Sequence, residues 1–478
     1  MTAGTVSSSP TVVQQLATLA ASVRRDGLPG ELRDDVARRV LDVVGNSLAA
    51  ERETSASAVV SVVRGWGGSP DATAIGMDLR VPSAAAALVN GTLAHSLDFD
   101  DTHLPSVLHP SSSVIPAALA VAEATGAKGA EMLDAAGVGI EITVRLGMGG
   151  YDASEGSSVF FERGQHATSI CGAVGAAVAA AMVAGLDADR IADAAGIAAS
   201  MGSGLLEANR TGGTVKRVHC GWAAHAGVVA ADLARYGLTG PRTVIEGRFG
   251  FLQAFLGEHA DVEAVTAGLG EHWELPGIFF KPYPCNHFTH AGIDAALELR
   301  ARGVRPEDIV AIELGVPSRV LKTIGQPSEA KARPSSGYHA AFSGPYTVAA
   351  ALLGGGGLGV FHEDFTDEAA RDETRLALAA KVRCVADEHC DRIFPHQFPA
   401  VLRVETADGT HHEVRVDTNR GGPDRPLSTE ELATKLRLNA SRVLDDKQAA
   451  AVANAGMALA GSPDVSELMA LVRGGSQV

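Results

Sequence analysis

The stretch "ATSICGAVGAAVAAAMVAGL", Ala167 to Leu186, runs for twenty residues without a charge. That length would span a bilayer, so the run is either a membrane helix or a helix buried on every side. Its composition decides between them. The run is mostly Ala and Gly, and the acidic stretch "DADRIADAA" follows it directly. A helix that is apolar all round and this small in side chain belongs inside a large helical domain, packed closely on several faces. The expectation is a protein with no membrane segment.

Other runs extend that picture over residues 11 to 275. In "LRDDVARRVLDVVGNSLAA", Val36, Val40, Val43, Val44 and Leu48 form one stripe, with Arg33, Asp34, Arg38, Arg39 and Asp42 opposite. Similar, more apolar helices are predicted at Ser83–His95, Ser113–Ala124, Gly129–Leu146, Ala167–Ala184 and Ala188–Met201, separated by glycine-bearing loops.

The texture changes near Gly277. "DIVAIELGVPS" alternates, with Ile312, Leu314 and Val316 on one face, and predicts a strand ending at Pro317. "VLRVETADGTHHEVRVDT" predicts a hairpin, with Leu402 and Val404 on one side, Val414 and Val416 on the other, and Asp408–Gly409 as the turn. Ser343–Leu353 and Asp367–Val382 read as helices between the strands. After "RGGPDRP" the helical pattern returns, with Ser428 and Glu431 as a capping box. The expected fold is mainly α: a large all-helical domain built from both chain ends (residues 1–277 and 425–478) with a smaller inserted α+β lid domain (278–424).

Charge narrows the partners. A net charge of −16 leaves no basic face for nucleic acid or an anionic membrane, while a few local cations can still hold a small anion. Lysine is scarce: eight of the 40 cations, leaving 32 arginines. Five cysteines without a CxxC fit a reducing cytoplasm. The start, "MTAGTVSSSP", lacks the regions of a signal peptide and reads as a short disordered tail. "GGGGLG" contains GxGxxG but follows a helical run, which is the wrong context for a dinucleotide site.

The chemistry-bearing residues gather in a few loops. "SLDFDDTHLPSVLHPSS" offers Asp98, Asp100, Asp101, His103 and His109 as mixed oxygen and nitrogen ligands. It lacks the glycine and distal glutamate of an EF-hand, and aspartates before Thr and Pro also cap helices and turns. "ERGQHATSICGA" sets His166 before the uncharged helix, where it reads equally as a structural histidine. "TGGTVKRVHCGWAAHAG" sets Lys216 after a Gly-Gly loop, and "FFKPYPCNHFTHAGIDAA" sets Lys281, Asn286, His287 and His290 at the expected domain junction, a favoured place for a ligand. Such lysines, histidines and a threonine hydroxyl suit a substrate with two or three carboxylates and proton transfer at the neighbouring carbon.

These stretches resemble the MmgE/PrpD family, whose members include 2-methylcitrate dehydratase, cis-aconitate decarboxylase and iminodisuccinate epimerase. The likeness runs through "ARRVLDVVGNSLAA", "NGTLAHSLDFDDTHLPSVLHPSSSVIPAALA", "GQHATSICGAVGAA", "KRVHCGWAAHAG", "EGRFGFLQAF" and "KPYPCNHFTH". It implies a helical domain with an α+β lid, in a homodimer. The decarboxylase pattern, carried over residue by residue, implies a site containing Asp98, Thr102, His109, His166, Lys216 and Lys281. Two positions depart from it. Asn286 stands where the pattern has a histidine, with His287 beside it, and Leu321 stands where it has a tyrosine. The spacing from Thr102 to His109 is also one residue longer. These departures argue against cis-aconitate decarboxylation and leave polycarboxylate chemistry in place.

The resulting expectation is a cytoplasmic, cofactor-free lyase of the 2-methylcitrate dehydratase type, with no bound metal. His109, His166, Lys216 and Lys281 are the expected catalytic residues, and Asp98, Thr102, Asn286 and His287 the substrate-binding ones. Asp100 and His103 read as turn and surface groups. The alternatives are a decarboxylase, an epimerase of a dicarboxylate, and a non-catalytic carboxylate-binding protein.

Overall fold

The computed structural model describes residues 9–474, so most of the expected N-terminal tail lies outside the described residues. The chain is mainly α, 57% helical, and divides into two compact units. The first comprises residues up to Ser96, Asp100–Ile278 and the chain from Asn439 onward. The second comprises Leu97–Phe99 and Phe279–Leu438. Residues 425–438, which the sequence groups with the helical domain, therefore pack in the second unit.

The first unit is organised by α1 (Val12–Asp26), α2 (Gly30–Ala49), α3 (Thr54–Trp66), α4 (Ser83–His95), α5 (Ser111–Thr125), α6 (Gly129–Met148), α7 (Ala167–Val183), α8 (Ala188–Ala198) and α9 (Lys216–Arg235), with the helix Asp446–Met457 added from the C-terminal segment. The uncharged run is α7, and every one of its residues is buried. It packs chiefly against α6 and α9, with α5 and α8 on its other faces. Among the described residues, no helix is long and apolar enough to cross a membrane.

Small residues set the interhelical distances. A Cβ placed on Gly91 of α4 would lie 2.8 Å from the Cα of Gly221 on α9, so these two backbones meet with nothing between them. This contact holds the end of α4 beside the start of α9, where several side chains of the candidate site reside.

On α2 the apolar stripe is buried as expected. The opposite face is not all solvated, however: Arg39 and Asp42 are buried. Arg39 is drawn inward because Asp35 and Asp101 neutralise it, at 2.7 Å from Nε and 3.0 Å from Nη1. The helical period counts charge as a surface marker and has no access to partners distant in sequence.

The second unit is built on a four-stranded sheet: β1 (Ile309–Val316), β2 (Val382–Ala386), β3 (Ala400–Thr406) and β4 (His411–Val416), in the order β2-β1-β3-β4. β3 and β4 form the expected hairpin, with Leu402 opposite Val414 and Gly409 at φ +82° in the turn. Ile312, Leu314 and Val316 are buried as the alternation predicts. β2 was not legible as a strand. It is a short edge strand pairing in parallel with β1, and its five residues offer too few alternations to stand apart from the preceding helix. The helices α10 (His290–Ala301) and α11 (Gly344–Leu353) pack on each other, α10 against β3 and β4 and α11 against β2.

Candidate active site

In the first unit, four imidazoles stand in a row. His109 and His95 have ring centroids 5.3 Å apart, His95 and His166 5.3 Å, and His166 and His219 5.2 Å. Each comes from a different segment. His95 is the last residue of α4, His109 precedes Pro110 at the start of α5, His166 is the N-cap of α7, and His219 lies in the first turn of α9.

Their surroundings push the rings toward opposite protonation states. Burial opposes charge on His95, but Asp100 accepts from its Nδ1 at 2.7 Å, and the net effect raises its pKa to about 9. Its place at a helix C-terminus favours a cation as well. His166 is held well below the usual histidine range, first by burial and then by the positive charges of His95 and Lys216. As the cap of a helix N-terminus it faces the end of the dipole that repels a cation. His219 falls to about 4 for the same reasons, burial first. At neutral pH the row therefore holds an imidazolium at His95 beside a neutral imidazole at His166. Nε2 of both rings is buried and has no hydrogen-bond partner among the described residues.

Two further expected residues, Thr102 and Lys216, join this cluster. Nδ1 of His109 donates to the carbonyl of Asp101 at 2.5 Å and lies 3.3 Å from Oγ1 of Thr102. The backbone N–H of His109 donates to Oγ1 of Thr168 at 3.1 Å, tying the loop to α7. Lys216 opens α9, half-buried, and its charge reaches His95, His166 and His219.

The remaining expected residues belong to the second unit. Lys281 is buried and donates from Nζ to the carbonyl of Asp98 at 2.8 Å, with the Asp98 carboxylate at 3.3 Å. Asp98 has φ +52°, a conformation that Asp adopts more readily than most residues but that still needs support. Beside it, Lys435 donates to the carbonyl of Phe99 at 2.9 Å and sits 3.7 Å over its ring. Two lysines thus hold Leu97–Phe99 in the second unit. Asn286 uses its side-chain oxygen to accept from Phe288 N–H at 3.1 Å. His287 is buried, with Nε2 2.9 Å from Nδ2 of Asn419. Leu321, at the tyrosine position of the decarboxylase pattern, packs against the core of this unit.

Two family models match the chain in succession: residues 14–263 match the MmgE/PrpD N-terminal domain, and residues 283–459 the MmgE/PrpD C-terminal domain. The chain belongs to the MmgE/PrpD family. It is an enzyme of the lyase class. Curated relatives include the cis-aconitate decarboxylase-like protein oryM of Aspergillus oryzae, 28% identical over 97% of both chains. The cis-aconitate decarboxylase of Homo sapiens is 33% identical over 77% of this chain and 74% of its own. That of Aspergillus terreus is 27% identical over 96% of both.

Several buried polar residues in and beside this cluster were passed over in the sequence. Asp100 is no turn group, being fully buried and the counterion of His95. His103 is no surface group either. It is buried, its Nδ1 is 2.7 Å from Oγ of Ser106, and burial together with Arg39 lowers its pKa to about 3. His95 and His219 escaped notice altogether. His219 follows Lys216 by three positions on one helix, a spacing that shares a face, and this was an available signal. The pairing of His95 with Asp100 left no such trace, because it depends on how the chain turns after α4. Among the described residues, no group of three or more His, Cys, Asp or Glu side chains is arranged to hold a metal ion, and all five cysteines are free thiols.

Proposed function

We propose that this enzyme removes water from a small hydroxylated di- or tricarboxylate, as 2-methylcitrate dehydratase does. One observation carries the reading: a protonated His95 beside a neutral His166, ring centroids 5.3 Å apart. Elimination next to a carboxylate needs a base for the carbon-bound proton and an acid for the departing hydroxyl. Two titratable groups driven to opposite states by their environments meet that need in one place.

In this reading His166 takes the proton from the carbon next to a carboxylate. The electron pair forms the double bond, the C–O bond breaks, and the hydroxyl leaves as water with a proton from His95 or His109. Lys216 binds a carboxylate and offsets the enediolate-like charge that builds up on it. Thr102 orients His109. Lys281 maintains the turn at Asp98, and Asn286 and His287 shape the second unit around it. Proton transfer alone completes the cycle, so the proposal assigns no cofactor. A cytoplasmic homodimer is proposed from the family resemblance.

Decarboxylation is the second reading, favoured by the names of the curated relatives. An imidazolium could equally protonate the carbanion left by carbon dioxide. Asn286 and Leu321 weigh against it for cis-aconitate itself. Incubation with 2-methylcitrate, citrate, cis-aconitate and iminodisuccinate, followed by proton NMR in deuterated water, tests both. An alkene product from a hydroxy acid supports dehydration, and carbon dioxide release supports the second reading. Exchange without loss of either group indicates an epimerase. No turnover with any of the four, or turnover unchanged in His166→Ala and Lys216→Ala, would remove the assignment.

A further inference from the structure

Arg39 is among the largest fully buried side chains of the protein, and it binds Asp35, Asp101, Leu275 and Ile278 within the first unit. Nε donates to Asp35 and Nη1 to the carboxylate of Asp101 at 3.0 Å, while Nη2 donates to the carbonyls of Leu275 at 3.2 Å and Ile278 at 2.9 Å. The Asp101 carboxylate is bound again from the start of α5. It accepts from the backbone N–H of Ser111 at 3.2 Å and from its hydroxyl at 2.5 Å. Asp101 is thus clamped from α2 and from α5, and its main-chain carbonyl is the group that meets Nδ1 of His109 at 2.5 Å.

A carbonyl oxygen only accepts. A ring nitrogen facing it must carry the hydrogen, and in the neutral imidazole the other nitrogen then bears the lone pair. We propose that Arg39 and Asp101 are positioning residues that hold the Nδ1 proton of His109 on the Asp101 carbonyl, so that the neutral ring is the Nδ1–H tautomer and Nε2 is the atom that takes up and delivers the catalytic proton. The effect passes through the Asp101 carbonyl, which cannot rotate away while the carboxylate is held on both sides. Its catalytic consequence rests on the acid–base reading above, whereas the tautomer itself does not.

The test uses the full-length enzyme labelled with 15N-histidine. Long-range proton–nitrogen spectra report which ring nitrogen of each histidine is protonated, and His109→Asn identifies the His109 signals. The expected wild-type pattern is Nδ1–H. In Arg39→Met it becomes a mixture of tautomers, and kcat on the substrate found above falls at least about tenfold with KM changed less than about twofold. Arg39→Lys, which restores a charge without the guanidinium fork, recovers part of both. If Arg39→Met does not fold, Ser111→Ala removes one donor to Asp101 and leaves the ion pair, and the same changes are expected at smaller size. A wild-type His109 in the Nε2–H form, or an unchanged tautomer in folded Arg39→Met or Ser111→Ala, overturns the proposal. A shifted tautomer with wild-type kcat supports the positioning and refutes the role of His109 in the acid–base reading, so the two failures are distinguishable.

Discussion

Nδ1 of His166 lies 3.0 Å from Nδ1 of His219. At that distance one nitrogen donates and the other accepts, so the pair cannot hold two protons on the facing atoms. Both rings are also kept neutral by burial and by the cations at His95 and Lys216. The contact makes His166 and His219 a unit whose protonation any change in nearby charge will move.

Lys216→Met tests that dependence. Its ammonium lowers the pKa of His95, His166 and His219 alike, so its loss raises all three. For His219 the expected shift is upward from about 4 toward the ordinary histidine value. In the pH profile of kcat/KM, a base that must be unprotonated gives an acid limb, which should therefore move to higher pH. NMR titration of the His219 ring gives the same shift independently of turnover. A His219 pKa unchanged in Lys216→Met would refute the electrostatic account.

Asp100→Asn acts on the opposite side of the row. Without the carboxylate, burial, the largest influence on His95, lowers its pKa, and the ring is expected to become neutral at pH 7. If it serves as the acid, kcat at neutral pH falls about 100-fold. Stability gives a second readout. The folded pKa of His95 is about 9, above the ordinary 6.5, so its contribution is complete below about pH 6.5 and is lost as pH rises through 9. The wild-type urea midpoint should fall across that window, and the midpoint of Asp100→Asn should stay flatter. Parallel curves would contradict the pairing.

Much of this was readable in the chain, for definite reasons. The burial of α7 followed from the absence of charge in Ala167–Val183, and the β3–β4 hairpin from alternation around Asp408–Gly409. His109, His166 and Lys216 stood out as polar groups beside apolar helices and by family resemblance. What escaped were partnerships. Arg39 and Asp101 are 62 positions apart, and a charged residue on an amphipathic stripe reads as solvated until its counterion is known. Asp100 was hidden among three aspartates whose sequence context is alike, and only the turn after α4 separates its buried carboxylate from that of Asp98.

Lys281→Met examines the second unit. The ammonium is buried and binds both the carbonyl and the carboxylate of Asp98, so its removal leaves a strained turn and a poorly paired anion. The expected loss is about 2–4 kcal/mol, somewhat below that for breaking a fully buried pair, because Asp98 keeps some exposure. Asp98→Asn in the same background should recover part of it, since the stranded charge is gone. Chemical denaturation of the single and double variants measures both, and an additive double variant would mean that the two side chains do not interact.

Gly91→Ala probes the contact that brings α4 to α9. The added methyl would lie 2.8 Å from Gly221 Cα and 3.0 Å from the Cys220 carbonyl. Both are backbone atoms, so relief requires the helices to separate. Overpacking of this kind costs about 1–3 kcal/mol and should lower Tm by several degrees. Because α4 ends in His95 and α9 begins with Lys216 and His219, the same separation would stretch the histidine row. Activity should then fall more than the folded fraction accounts for at a temperature well below Tm. A variant that loses Tm but keeps full kcat would show that the row tolerates the spacing, and that α4 and α9 meet for stability alone.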